Sequence, residues 1–147
     1  MWRKCRRSGA AYAIVCEDDW CLSGSLDIAD VQRVIGRLGT REPAWTRVML
    51  HGSGTLTTTG PIVDGLVRSR SFYTTCYAIS RRGIELMLDT PRVEEMIDRR
   101  VDMVLFSRLF LTPTFTLTTP FTVDDPITCD NSTNGDWDRR VSVLSTG

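Results

Sequence analysis

The sequence predicts an α/β fold, a mixed sheet with flanking helices, and three observations carry that reading. First, short apolar runs rich in β-branched and aromatic residues, from Tyr12 to Cys16, Trp45 to Leu50 and Ser71 to Ser80, read as buried strands. Second, segments with apolar residues at helical spacing lie between and after these runs. Third, the resulting order, β-α-β-loop-β-α-α-β, alternates the two element types as layered α/β domains do.

The amino terminus carries four basic residues, Arg3, Lys4, Arg6 and Arg7, which read as a solvated helix face or tail. The first strand follows and ends on Glu17-Asp18-Asp19. After a turn from Cys21 to Ser25, Ser25 or Asp27 is placed to cap a helix. Its apolar face is Ile28, Val31, Val34 or Ile35, and Leu38, and it should end near Gly39. Pro43 precedes the second strand, which stops at the flexible sequence His51-Gly52-Ser53-Gly54. The Thr- and Gly-rich stretch from Thr55 to Gly65 reads as loop with some extended structure. The third strand leads through Arg81-Arg82-Gly83 into a short amphipathic helix with Ile84, Leu86, Met87 and Leu88. Pro91 sits at a favoured helix start, with Val93, Met96 and Ile97 on one face. The run from Val101 to Leu111 is strongly apolar. Thr112 to Pro126 alternates Thr with apolar residues and contains three prolines, which predicts an edge strand or an extended crossing segment. Residues 131–147 read as a polar tail, on which Val141, Val143 and Leu144 are the residues able to dock.

A chain of 147 residues suits a single domain, 1–147, with a real hydrophobic core. The 18 basic and 18 acidic residues cancel, so charge gives no reason to expect nucleic acid or an anionic membrane as partner. No apolar stretch approaches the roughly 20 residues of a transmembrane span. The acids at 17–19 interrupt any signal-peptide core after the basic start. The expected location is therefore cytoplasmic. Five cysteines without a C-x-x-C pair argue against a disulfide framework and against a thiolate zinc site. Cys16 and Cys76, in apolar runs, read as buried thiols. Asn131-Ser132-Thr133 fits the glycosylation sequon, a tripeptide frequent by chance.

Three carboxylates at the end of a buried strand repel one another, and their desolvation costs free energy. A hard divalent cation, Mn²⁺ or Mg²⁺, removes that penalty through oxygen ligands. Ligands of open α/β sheets bind outside the carboxyl ends of strands. Strand alternation places Glu17 and Asp19 on one side and Asp18 on the other. The plain alternative is a solvated acidic turn. His51, the only histidine, follows a strand end and is a candidate ligand or base, although a lone loop His is more often neither. Trp20 and Trp45 are candidates for stacking on a sugar or base, with core packing favoured for Trp45 and Tyr77.

Several landmarks line up with one family. An apolar strand closes on E-D-D in Ile14-Val15-Cys16-Glu17-Asp18-Asp19, and a Trp-led strand runs from Trp45 to Leu50. A Y-x-I-S-R-x-G segment stands at Tyr77-Ala78-Ile79-Ser80-Arg81-Arg82-Gly83, followed by Pro91, Val101-Asp102 and an extended segment from Phe115 to Pro126. In these residues, over about 10–130, the chain resembles glycosyltransferase family 25, which includes lipopolysaccharide and procollagen galactosyltransferases. The resemblance implies a GT-A-like (Rossmann-like) core and inverting transfer of galactose or glucose from a nucleotide-sugar, a UDP-hexose, to a glycan or protein acceptor. It implies Mn²⁺ or Mg²⁺ on Glu17, Asp18 and Asp19, with Asp102 as catalytic base or acceptor-contacting acid and Ser80 and Arg81 facing the donor diphosphate. Helix capping is the alternative for Asp102 and Ser80. In the family a βαβ unit precedes the E-D-D strand, whereas here that strand begins about ten residues from Met1. The expectation is an N-terminally truncated core: a fragment, a chain completed by a partner subunit that supplies the donor-binding half, or an inactive transferase-derived binding or scaffold domain. A receiver-like Mg²⁺-binding domain is a further alternative, but it needs a Lys late in the chain and the only Lys is Lys4.

Overall fold

The computed structural model describes residues 2–17, 20–51, 57–70, 75–89, 109, 112–124 and 142–145. Helix α1 (Trp2–Ser8) leads into β1 (Tyr12–Cys16), β2 (Trp20–Leu22) and helix α2 (Ile28–Arg41). Then come β3 (Arg47–Met49), β4 (Thr57–Val63), β5 (Leu66–Arg70), β6 (Cys76–Ser80) and helix α3 (Arg81–Leu88). The described chain continues with β7 (Thr114–Leu117), β8 (Thr122–Asp124) and β9 (Ser142–Ser145). Among the described residues, seven strands form one sheet in the order β4-β5-β7-β3-β6-β1-β9, and β2 pairs with β8 in a second, two-stranded sheet.

The three apolar runs are the sheet's centre, with β6 between β3 and β1 and antiparallel to both. Among the described neighbours of the large sheet only β3 and β7 are parallel. Both faces are covered, as strands without polar alternation require. On one face, Ile14 and Cys16 of β1, Val48 of β3 and Cys76 and Ala78 of β6 pack with Val31, Ile35 and Leu38 of α2. On the other, Ala13, Val15, Tyr77 and Ile79 pack with Cys5 of α1, Ile84 and Met87 of α3, and Leu109. Burying Cys5 leaves Arg3, Lys4, Arg6 and Arg7 on the exposed side of α1, the solvated helix face the sequence suggested.

Local chemistry sets the helix ends. Asp27 accepts from the Asp30 N–H while the Asp30 carboxylate accepts from the Asp27 N–H, a reciprocal capping box at the start of α2. The helix runs past Gly39 to Arg41 and stops where Pro43 disfavours helical geometry in the preceding residue. Ser80 caps α3 by accepting from the Gly83 N–H at 3.1 Å, and its hydroxyl donates to the Trp45 carbonyl at 2.7 Å. Trp45 and Tyr77 belong to the core, and the Trp45 ring lies 6.3 Å from that of Tyr12.

Two segments were anticipated only in part, β4 in the stretch read as loop with some extended structure and β9 in the tail, and one, β7, differs from expectation. The stretch read as loop contains β4, which turns through Asp64 and Gly65 into β5. Both turn residues have positive φ (53° and 77°), the type I′ geometry that matches the twist of a hairpin. The Thr- and Pro-containing segment places β7 inside the sheet, between β5 and β3, and not at an edge. Pro113 and Pro120 fall just outside the ladder, so no ladder bond is lost. The threonines of β7 tolerate burial because their hydroxyls are paired: Thr116 Oγ1 with Ser69 Oγ at 2.6 Å, and Thr114 Oγ1 donating to the Ser69 carbonyl. The polar tail docks through β9, which extends the sheet beyond β1. The helix proposed from Pro91 and the apolar run from Val101 lie outside the described residues, Leu109 excepted.

Candidate functional site

Strand directions decide where chemistry can gather. Because β6 and β5 are antiparallel to their neighbours, β1, β3 and β7 all run the same way and present their carboxyl ends at one end of the sheet. Glu17 leaves β1 there, half-buried, its N–H donating to the Thr75 carbonyl at 2.7 Å. It continues the alternation of Ala13 and Val15, on the face of Tyr77. Burial above all pushes the Tyr77 phenol well above its ordinary range, and the charge of Glu17 adds to the effect. Asp18 and Asp19 lie outside the described residues.

His51 follows β3 at the same end and is 2 % exposed. Its Nδ1 is hydrogen-bonded to Thr122 Oγ1 at 3.0 Å, and the Thr122 N–H donates to the Leu50 carbonyl at 3.2 Å. The Thr122 hydroxyl also opposes the upward shift of the Cys76 thiol. Cys76 in turn lies against Cys16, with Sγ–Sγ at 2.6 Å. The bond from Cys76 holds the Cys16 thiol below its ordinary value against the opposing effect of burial, whereas the same bond and burial push Cys76 up. Thr122 and this thiol pair were not singled out as site residues from sequence. Both cysteines were recognised as buried, but only the antiparallel register brings them face to face.

Ser80 and Arg81 lie at the other end. The register pairs Tyr12 with Ser80 and Cys16 with Cys76, so about 14 Å of strand separates the level of Ser80 from that of Cys16, and Glu17 lies one residue further. Ser80 is 6 % exposed and its hydroxyl is occupied by two protein partners, and Arg81 pairs with Glu85 at 3.3 Å on the surface. The structure therefore does not bring these two residues together with Glu17. On the α1/α3 face, β3 buries Arg47, and desolvation lowers its guanidinium to about 10, still charged at neutral pH. Asp102 lies outside the described residues.

The donor chemistry at the acid end fits a hard divalent cation: Glu17 offers carboxylate oxygens at a strand terminus, and the two following residues are Asp. Among the described residues alone no group of three ligating side chains comes together. A cavity of about 320 Å³ lies elsewhere, between the last turns of α2 and the β4–β5 hairpin. Leu38, Val63, Leu66 and Phe115 line it beside the Arg41–Asp64 ion pair at 2.7 Å. In the sheet order β7, β3 and β6 separate that hairpin from β1. Among the described residues no helix is long and apolar enough to cross a membrane. Compared with protein-family models, curated proteins and solved structures, the chain has no match.

Proposed function

We propose that the chain is a metal-dependent hexosyltransferase core of GT-A type, acting on a nucleotide-sugar donor and a glycan or protein acceptor. The observation that carries the reading is the placement of Glu17 at the sheet end where β1, β3 and β7 all finish, the end at which His51 also follows β3. Carboxyl ends of strands are where open, mostly parallel α/β sheets bind ligands, and here β1, β3 and β7 share that direction. Glu17, Asp18 and Asp19 hold Mn²⁺ or Mg²⁺, which supplies charge neutralisation for a departing diphosphate. Asp102 takes the acceptor's hydroxyl proton. Ser80 fixes α3 to the entry of β3, and Arg81 lies with it at the end of β6 opposite to Glu17. The five antiparallel neighbour pairs of the large sheet give no support to a receiver-like domain, whose sheet is parallel.

The test is transfer from UDP-galactose and UDP-glucose to a panel of glycan and protein acceptors. Wild type is expected to turn over with added Mn²⁺, and Asp102→Asn to bind donor normally while turnover falls by about 10²–10⁴-fold. Full turnover in Asp102→Asn removes that residue from the chemistry. Donor binding by wild type without turnover favours the transferase-derived binding domain instead.

A further inference from the structure

Cys16 and Cys76 stand directly opposite on antiparallel β1 and β6. The next pair along, Glu17 and Thr75, exchanges a ladder bond from the Glu17 N–H to the Thr75 carbonyl. Hydrogen-bonded and non-hydrogen-bonded pairs alternate along an antiparallel ladder, so Cys16 and Cys76 occupy a non-hydrogen-bonded position. Such positions bring Cα atoms to about 4.5 Å with the side chains closest, inside the span of about 4.4–6.8 Å that a disulfide bridges. Both side chains point to the α2 face, and their sulfurs are 2.6 Å apart, roughly half an ångström beyond a bond of about 2.05 Å. Neither Cys5, buried on the opposite face, nor Cys21, on the small sheet, has a described cysteine across from it. The two sulfurs are 4 % and 0 % exposed at residue level, which favours a small oxidant over a bulky disulfide.

We propose that Cys16 and Cys76 are a cross-strand redox pair that hydrogen peroxide closes into an intramolecular disulfide. In the first step one thiol sulfur attacks a peroxide oxygen, the O–O bond breaks, and a sulfenic acid and one water result. In the second the other thiol attacks the sulfenic sulfur, the S–O bond breaks, the S–S bond forms, and a second water leaves with the remaining thiol proton. Two thiols are oxidised and one peroxide is reduced. The bond ties together residues 60 apart in sequence, enclosing α2, β3 and the β4–β5 hairpin. It pins β1 to β6 one residue before the acids leave the sheet, and it forms whether or not those acids bind metal.

The experiment uses the full chain, reduced, desalted and exposed to hydrogen peroxide, with remaining thiols blocked before digestion without reductant. Peptide mass spectrometry is expected to find Cys16 linked to Cys76. Thermal melts of the same sample should rise by on the order of 5–10 °C, because the link constrains a long loop in the unfolded chain. Dithiothreitol should reverse both changes, Cys76→Ser should abolish both, and Cys21→Ser should keep both. Peroxide-treated wild type that carries sulfinic acid at Cys16, or links only through Cys5, Cys21 or Cys129, overturns the proposal. A Cys16–Cys76 link that lowers the melting temperature also overturns it, because the native geometry then rejects the bond.

Discussion

Replacing Gly83 by Ala tests how α3 meets the sheet. A Cβ built on Gly83 would stand 2.5 Å from the Thr46 carbonyl oxygen and 2.8 Å from Ile79 Cγ1. The Thr46 backbone cannot give easily. Its N–H donates to the Pro113 carbonyl at 2.9 Å, its carbonyl accepts from the Ser80 N–H at 3.0 Å, and its hydroxyl pairs with that of Thr112 at 2.7 Å. The helix must therefore lift from β3, straining the Ser80 cap on the Gly83 N–H. Overpacking of this kind costs about 1–3 kcal/mol and loss of a cap about 1 kcal/mol. The better helix propensity of Ala returns up to about 1 kcal/mol. The net expectation is destabilisation by about 2 kcal/mol, or roughly 4–8 °C in melting temperature for a chain of this size. Gly36 supplies the opposite sign in the same protein: on α2 its added Cβ meets nothing within 4 Å, so Gly36→Ala should stabilise by about 0.5–1 kcal/mol. Urea and thermal denaturation followed by circular dichroism measure both. Gly83→Ala at wild-type stability would refute the close approach of α3 to Thr46.

Other outcomes follow from the same geometry. Ser80→Ala removes a buried hydroxyl that both caps α3 and donates to the Trp45 carbonyl, so it should cost about 1–2 kcal/mol in urea melts while leaving nucleotide-sugar binding unchanged; weakened donor binding at normal stability would restore Ser80 to the donor site. The Asp30 carboxyl is held below its ordinary value, first by the Asp27 backbone N–H and then by Arg33. A lowered native value means its contribution to α2 is complete above the unfolded carboxylate range and fades as pH falls through the native value. An NMR titration that places the Asp30 carboxyl at or above an ordinary aspartate would contradict the capping box.

The trio β3-β6-β1 was legible because each strand is a short, mostly apolar run buried on both faces, with Arg47 the one charged residue among them, which leaves a pattern independent of its neighbours. Asp27 and Ser80 were legible as caps for an equally local reason. Strand direction is different, because it depends on how distant segments connect. Read alone, Tyr77 to Arg81 gives no sign that it runs against β1, and that direction carries Ser80 and Arg81 away from Glu17. The β4–β5 hairpin left a local trace in Asp64-Gly65, but the Thr- and Gly-rich composition around it resembled loop. The interior place of β7 rests on hydroxyl pairs with Ser69, contacts that no pattern within 112–126 encodes.

The claim that the acids after β1 hold a divalent cation is tested most directly by thermal melts of the reduced full chain with and without millimolar Mn²⁺, beside Asp19→Ala. A cation that binds the native state at about 100 times its Kd stabilises by about 2.7 kcal/mol, a rise of roughly 5–10 °C. The account predicts that rise in wild type and its loss in Asp19→Ala. An unchanged melting temperature in wild type, or the same rise in Asp19→Ala, would contradict it.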